Sequence, residues 1–317
     1  MLLDGKKFED LEKAAQIILR GGIVAVPTET VYGLAANALN PDAVRKIFIA
    51  KGRPFIDPLI AHVYSFAELE DIAVANEQAR VLAKAFSPGP ITYVLPKRPC
   101  VPDIVSAGMP TVAVRIPAHE VMREFLKIVK RPLSAPSANP FGYLSPTTSA
   151  HVLAQLGGKI DAVIEGGACE CGVESTIIML TNPDKPMLLR PGPISKAQLE
   201  EVLGREVFYQ KEKNPARPEA PGMLKSHYSP RAKVILFDSK QADFEDGAAL
   251  VYFARPQNPH KNEFWLSEAG DVAEGARNLF ALLRSLDGKY KKIYCQRFPN
   301  YGVGEAANDR LQRAAAK

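Results

Sequence analysis

The chain is short of cysteine, of aromatic rings and of long apolar runs, and each shortage removes a class of protein. Four cysteines in 317 residues, Cys100, Cys169, Cys171 and Cys295, are too few and too scattered for a disulfide framework. The spacing in CEC is tighter than the two-residue gap of the usual zinc or redox hook, so reduced thiols are expected. No apolar run approaches the ~20 residues of a membrane-spanning helix. The opening MLLDGKKFED lacks the charged start, apolar core and small-residue cleavage site of a signal peptide. A soluble, cytoplasmic protein with no membrane partner is the expectation. Aromatic residues are only 8% of the chain and form no RNP-like run, which argues against a base-stacking RNA platform.

What is abundant points to a folded α/β protein. A hydrophobic share of 46% can bury a sizeable core, and the length suits two domains or one large one. Twenty-six prolines exceed the average share of ~5% and punctuate the ends of strands and helices, as in VPT, IPA, SPGP and RPGP. A net charge of +5 is mildly basic, which suits an acidic substrate such as a nucleotide and permits contact with nucleic acid.

Periodicity places an amphipathic helix at Phe8 to Leu19, ended by Gly21 and Gly22. IVAVP follows as a buried strand. Further strands are predicted near Leu59 to Val63, Ile91 to Leu95, Thr111 to Ile116, Ala162 to Ile164, Ser175 to Leu180 and Met187 to Leu189. Helices are predicted at Asn76 to Phe86, His119 to Lys130, Thr147 to Leu156 and Lys196 to Leu203, the last with a Ser195/Gln198 capping box. Because strands and helices do not alternate strictly, a mixed twisted sheet is expected, curling toward an open barrel.

Residues 210–230 change to a polar, proline-rich stretch without periodicity, which is either a linker or a functional lid. Met223, Leu224, His227 and Tyr228 are anchors that a pure tether does not need. Beyond it, KVILF, AALVYFA, a helix at Asp271 to Leu286, KIYCQRF and a helix near Glu305 to Ala315 form a small Rossmann-like pattern. YGVGEAAN lacks the third glycine and the acidic residue of a dinucleotide site and reads as a tight turn.

The segment AKGRPFIDPLIAHV, Ala50 to Val63, concentrates the chemistry of the first domain. Asn40 caps a helix that Lys51 closes, Gly52 supplies the left-handed exit and Pro54 blocks continuation, so Lys51 and Arg53 project from a fixed helix end. After Pro58, LIAHV alternates, with Leu59, Ala61 and Val63 on one face and Ile60 and His62 on the other. Two readings stand at this point. The cations either complement a helix dipole or hold an anion, and His62 is either a core residue or a ligand contact. PTETVYG, TVAVRIP, SAPSANPFGYLSPTT, GVESTI and LLRPGPIS add hydroxyls, amides and the cations Arg115 and Arg190 at strand ends, where open α/β folds gather ligand sites.

KGRPFIDPL together with SAPSANPFG and GVESTI resembles the threonylcarbamoyl-AMP synthase family, the YrdC-like domain marked by K-x-R and a distant S-x-N, here Lys51-Gly-Arg53 and Ser137-Ala-Asn139. VPTETVYGL and SPGPIT are similar to family segments as well. The resemblance implies a YrdC-like catalytic domain over 1–209, a linker or lid at 210–230 and a small Rossmann-like domain over 231–317. It also implies condensation of L-threonine, bicarbonate or carbon dioxide and ATP to threonylcarbamoyl-AMP and pyrophosphate, with Mg²⁺ accompanying ATP. The product would pass to a tRNA threonylcarbamoyl-transfer enzyme, with direct tRNA contact left open.

By the same resemblance Lys51 and Arg53 hold phosphates and are the catalytic pair. Thr111, Ser137, Asn139, Ser145, Arg190 and Tyr228 contact ATP, and Thr30, His62, Arg115 and Ser175 hold L-threonine. No protein-borne metal site is implied. Where the family often has aspartate before the paired glycines, this chain has Glu165, which is left out of the site. An RNA-binding module without catalysis leaves the Ser, Thr and Asn clusters unexplained, and a carbamoyl-transfer enzyme acting on another amine is the remaining alternative.

Overall fold

The structure is a computed structural model and describes residues 1–210, 228–238 and 244–316. Met223, Leu224 and His227, and with them most of the expected linker or lid, lie outside the described residues.

The chain begins with β1 (Leu2–Asp4), α1 (Phe8–Leu19), β2 (Val24–Val26), β3 (Gly33–Asn37), α2 (Pro41–Lys51) and β4 (Ile60–His62). It continues through α3 (Phe66–Ile72), α4 (Glu77–Phe86), β5 (Ile91–Pro96), α5 (Asp103–Ser106), β6 (Thr111–Arg115) and α6 (Glu120–Val129). Next come β7 (Leu133–Ser134), α7 (Ser149–Leu156), β8 (Ala162–Glu165), β9 (Thr176–Met179), β10 (Met187–Arg190), α8 (Lys196–Leu203) and β11 (Phe208–Tyr209). The last part holds β12 (Lys233–Phe237), β13 (Ala249–Ala254), β14 (Glu263–Ser267), α9 (Val272–Leu286), β15 (Lys292–Gln296) and α10 (Gly304–Ala315).

Eleven strands make one mixed sheet in the order β1-β8-β2-β3-β7-β4-β6-β5-β9-β10-β11. Within it β4 runs parallel to β6 with His62 opposite Arg115, while β5 is antiparallel to β6 and parallel to β9. The side-chain period of two then assigns each residue a face. Leu59, Ala61, Val63, Val112, Val114 and Ile178 enter the main core under the helices. Ile60, Val94, Ala113 and Ile177 form a smaller cluster on the opposite face. His62 and Arg115 share that second face, so the alternation of LIAHV carries a histidine and an arginine to the same floor.

Local signals account for the helix that delivers Lys51 and Arg53. Asn40 accepts from the backbone N–H groups of Asp42 and Ala43, Pro41 occupies the first turn, and Gly52 ends the helix at φ 62°. That left-handed angle suits glycine because a Cβ would crowd the following carbonyl. The Ser195/Gln198 capping box forms as expected. Seven elements were not anticipated: β1, β3, α3, α5, β7, β11 and β14. GLAAN in β3 is too rich in small residues to announce a strand, whereas Ser65 and Glu68 make a capping pattern that could have revealed α3.

The second sheet is parallel throughout, ordered β12-β15-β13-β14, as the Rossmann-like pattern requires. Its core does not stand apart. Val31, Leu144 and Val173 of the first part pack with Tyr228, Ala276, Phe280 and Leu311 in one apolar cluster, so the second domain forms a roof over the polar floor of the first.

Candidate active site

Between floor and roof lies a narrow cavity of about 40 Å³. Eight of the residues implicated by sequence line it: Thr30, Arg53, His62, Arg115, Ser137, Ser175, Arg190 and Tyr228. They arrive from seven separate stretches of chain, counting Arg53 and His62 as one, which is why no single segment was decisive.

One corner is built around Arg115. Its guanidinium meets the Glu29 carboxylate at 2.8 Å, donates to Thr30 Oγ1 at 2.8 Å and to the Gly89 carbonyl at 3.3 Å. Thr28 and Thr30 share a hydroxyl contact of 2.8 Å, and Thr28 donates to the Val31 carbonyl, so the PTET turn is fixed from within. Burial pushes the Glu29 carboxyl up, but Arg115 outweighs it and holds the group below the ordinary carboxylate value. His62 lies beside this pair. Its Nδ1 is buried without a hydrogen-bond partner, and burial, reinforced by Arg115, pushes its pKa down to about 3. The ring is therefore neutral at physiological pH and keeps one nitrogen for a ligand.

The second corner gathers positive charge. Arg53 donates to the carbonyls of Asp57 and Pro58 and pairs with the Asp57 carboxylate at 2.9 Å, both side chains being buried. Arg190 donates to the Ser175 carbonyl and hydroxyl at 3.0 Å each. Opposite Arg190 the β9/β10 register slips by one residue, and such a bulge re-aims the side chain at its site. Gly192 makes the approach possible, since a Cβ there would stand 2.1 Å from the Thr176 nitrogen.

Lys51 departs from the expected picture of a cation projecting from its helix. It is buried and does not line the cavity, and its ammonium donates to the carbonyls of Ser137 and Asn139. The signature K-x-R and S-x-N are thus joined by the lysine itself. Burial first, then Arg53, pushes its pKa well below the ordinary lysine value. Asn139 donates to the carbonyls of Pro140 and Tyr143, and Ser145 donates to Glu174, so both act one layer behind the cavity wall. Thr111 is on the same face as Arg115 but opens β6 at its other end, outside the lining.

Three carboxylates went unnoticed in the sequence although all three sat in quoted motifs: Glu29, Asp57 and Glu174. Each binds a buried arginine, and a run of Thr-Glu-Thr or Val-Glu-Ser between apolar strands was the available signal. Glu165 serves structure, accepting from the Gly167 N–H and from Ser149 and Tyr32. Cys169 and Cys171 hold no activated thiol, since burial raises both, Cys171 to about 11. Among the described residues no three His, Cys, Asp or Glu side chains converge as a metal cluster, and no helix is long and apolar enough to cross a membrane.

The arrangement has counterparts. The family model described as "Telomere recombination", of the Sua5, YciO and YrdC proteins, matches residues 16–192, and the one described as "Threonylcarbamoyl-AMP synthase, C-terminal domain" matches 194–316. The threonylcarbamoyl-AMP synthase of Pyrococcus abyssi is 42% identical over 95% of this chain and 93% of its own length. That of Bacillus subtilis is 38% identical over 96% and 92%. The crystal structure of P. abyssi Sua5 complexed with L-threonine superposes with a TM-score of 0.91 at 38% identity, covering 99% of this chain and 97% of that one. With both domain models matched in order and full-length relatives at this identity, the chain belongs to the threonylcarbamoyl-AMP synthase family.

Proposed function

We propose that this chain condenses L-threonine, bicarbonate or carbon dioxide and ATP into L-threonylcarbamoyladenylate, releasing pyrophosphate, for threonylcarbamoyladenosine modification of tRNA. The observation that carries the reading is one cavity lined by Arg115 and His62 on one side, with Glu29 balancing Arg115 from behind, and by Arg53 and Arg190 on the other, with Lys51 buried one layer behind. A zwitterionic amino acid suits the first. Arg115 takes its carboxylate with a planar fork, while Thr30, His62 and Ser175 read amine and hydroxyl.

The polyphosphate suits the second corner, with Ser137, Asn139, Ser145 and Tyr228 around the nucleotide. Thr111 would join them if the nucleotide lies along the floor of β6, where Thr111 and Arg115 stand roughly 13 Å apart. The neutral amine nitrogen bonds to the carbon of carbon dioxide as one C=O π pair moves to oxygen and the amine gives up a proton. From bicarbonate the same carbamate forms with loss of water. A carbamate oxygen then bonds to the α-phosphorus as the bond to the β,γ-pyrophosphate breaks. Negative charge collects on the leaving group, where Lys51, Arg53 and Arg190 stabilise it. No metal cluster stands among the described residues, and on this reading Mg²⁺ would accompany the nucleotide as part of the substrate.

The domain division at 1–209, 210–230 and 231–317 belongs to this proposal. It is supported by β11, which still pairs with β10 in the first sheet, and by the start of the second sheet at Lys233. Cytoplasmic location, transfer of the reactive adenylate to a tRNA threonylcarbamoyl-transfer enzyme, and direct tRNA contact by a chain of net charge +5 are its further parts. The test is incubation with ATP, Mg²⁺, bicarbonate and one amino acid at a time. Pyrophosphate appears with L-threonine and not with the others. Equal release with every amino acid, or none at all, overturns the proposal.

A further inference from the structure

Among the described residues, the largest fully buried side chain belongs to the second domain and is an arginine, Arg310. From α10 its Nε donates to the Glu174 carboxylate at 2.8 Å, and Nη2 reaches the carbonyls of Glu174 at 3.4 Å and Pro191 at 3.1 Å. The guanidinium also lies 5.3 Å from the centre of the Tyr228 ring. Asp309 braces it from behind at 2.8 Å and is itself held by Arg313. Glu174 and Tyr228 line the cavity, and Pro191 adjoins a residue that does. Glu174 precedes Ser175 and binds Ser145, Pro191 follows Arg190, and Tyr228 lines the wall.

Docking alone does not call for such a residue. The domains already share an apolar cluster, and burying an ion pair costs more in desolvation than an apolar side chain of the same volume. What the fork adds is geometry, because its planar donors fix several acceptors at once. Tyr228 needs such fixing. Its φ of 61° lies in the left-handed region, unfavourable for a bulky residue, and its ring is stacked on Phe280 at 5.6 Å and faced by Arg310.

We propose that Arg310 is a positioning residue of the active site, through which the second domain sets Glu174, the Arg190–Pro191 turn and Tyr228 for nucleotide binding. The inference rests on the synthase reading for its substrate and makes the second domain half of the site instead of an appendage.

The test uses the full chain with Arg310→Met, Arg310→Lys and the double variant Arg310→Met/Glu174→Gln, read by calorimetric ATP binding, by kcat and KM for ATP and for L-threonine, and by melting temperature. Arg310→Met weakens ATP binding by about tenfold or more, and Arg310→Lys recovers only part of it because the ammonium lacks the fork. In the single variant Glu174 loses the cation that offsets its burial, so the acid limb of the pH profile moves to higher pH. The double variant removes the stranded carboxylate and recovers melting temperature while ATP affinity stays low. Recovery of both by the double variant, or a lower melting temperature with unchanged ATP affinity and KM, overturns the inference. Should the wild-type chain bind ATP yet release no threonine-dependent pyrophosphate, the proposed reaction fails, while the ATP-binding arm still decides the role of Arg310.

Discussion

Arg115 and Lys51 are both buried cations beside one cavity, yet they are held in opposite ways. Arg115 faces a carboxylate, Glu29, and a hydroxyl, Thr30, so its charge is neutralised where it stands. Lys51 faces only the carbonyls of Ser137 and Asn139 and forms no ion pair among the described residues. A balanced corner welcomes a ligand of no net charge, such as a zwitterionic amino acid. An unbalanced corner is costly until a polyanion arrives. On the proposed reading, that difference suits the amino acid to the first corner and the polyphosphate to the second.

The largest test of that contrast is Lys51→Met. Turnover falls by about 10² to 10³, the scale for removing one donor to developing charge. Melting temperature holds or rises because a buried charge has gone; a collapse in folding would mean that Lys51 is a structural strut. Arg115→Met moves stability the other way. It strands Glu29 and destabilises the fold by ~3 kcal/mol, and KM for L-threonine rises by about a hundredfold. Equal melting shifts for the two variants, measured side by side, would erase the distinction.

The next test is protonic. The folded state holds the Lys51 pKa well below its ordinary 10.5, so the unfolded chain binds more protons and stability rises with pH across the window up to that value. A bound triphosphate favours the ammonium again. Nucleotide binding therefore takes up protons and weakens as pH rises, by about tenfold per unit at most. Calorimetry in buffers of different ionisation enthalpy checks this, and proton release on binding would contradict it. The smallest effect belongs to His62. With its pKa pushed down to about 3, it stays neutral and KM for L-threonine is flat over ~pH 5 to 8 as far as His62 is concerned. An inflection in that range that disappears in His62→Gln would show the ring titrating.

Much of the fold was legible because its cues were local. The cap at Asn40, the exit at Gly52 and the alternation of LIAHV required only neighbouring residues, and the structure bears them out. The second domain was legible through its strand and helix periods, although β14 was missed. The site was legible in part. Motifs named Lys51, Arg53, His62 and Arg115, but only the tertiary fold shows that Lys51 bends back onto the segment carrying Ser137 and Asn139. Glu174 stood in the quoted GVESTI without being singled out, and Arg310 was invisible for the same reason as the Lys51 contact. ANDRLQRAA reads as an ordinary exposed helix, and the contact that buries Arg310 spans 136 residues of sequence.

The most direct measurement supplies ¹⁴C-bicarbonate, ATP and L-threonine to the wild-type chain and follows the label by chromatography and mass. The account predicts label in an adenylate that contains both threonine and AMP, formed in step with pyrophosphate and lost when threonine is omitted. Label that stays in bicarbonate while ATP is hydrolysed, or adenylate that forms without carbon from bicarbonate, would contradict it.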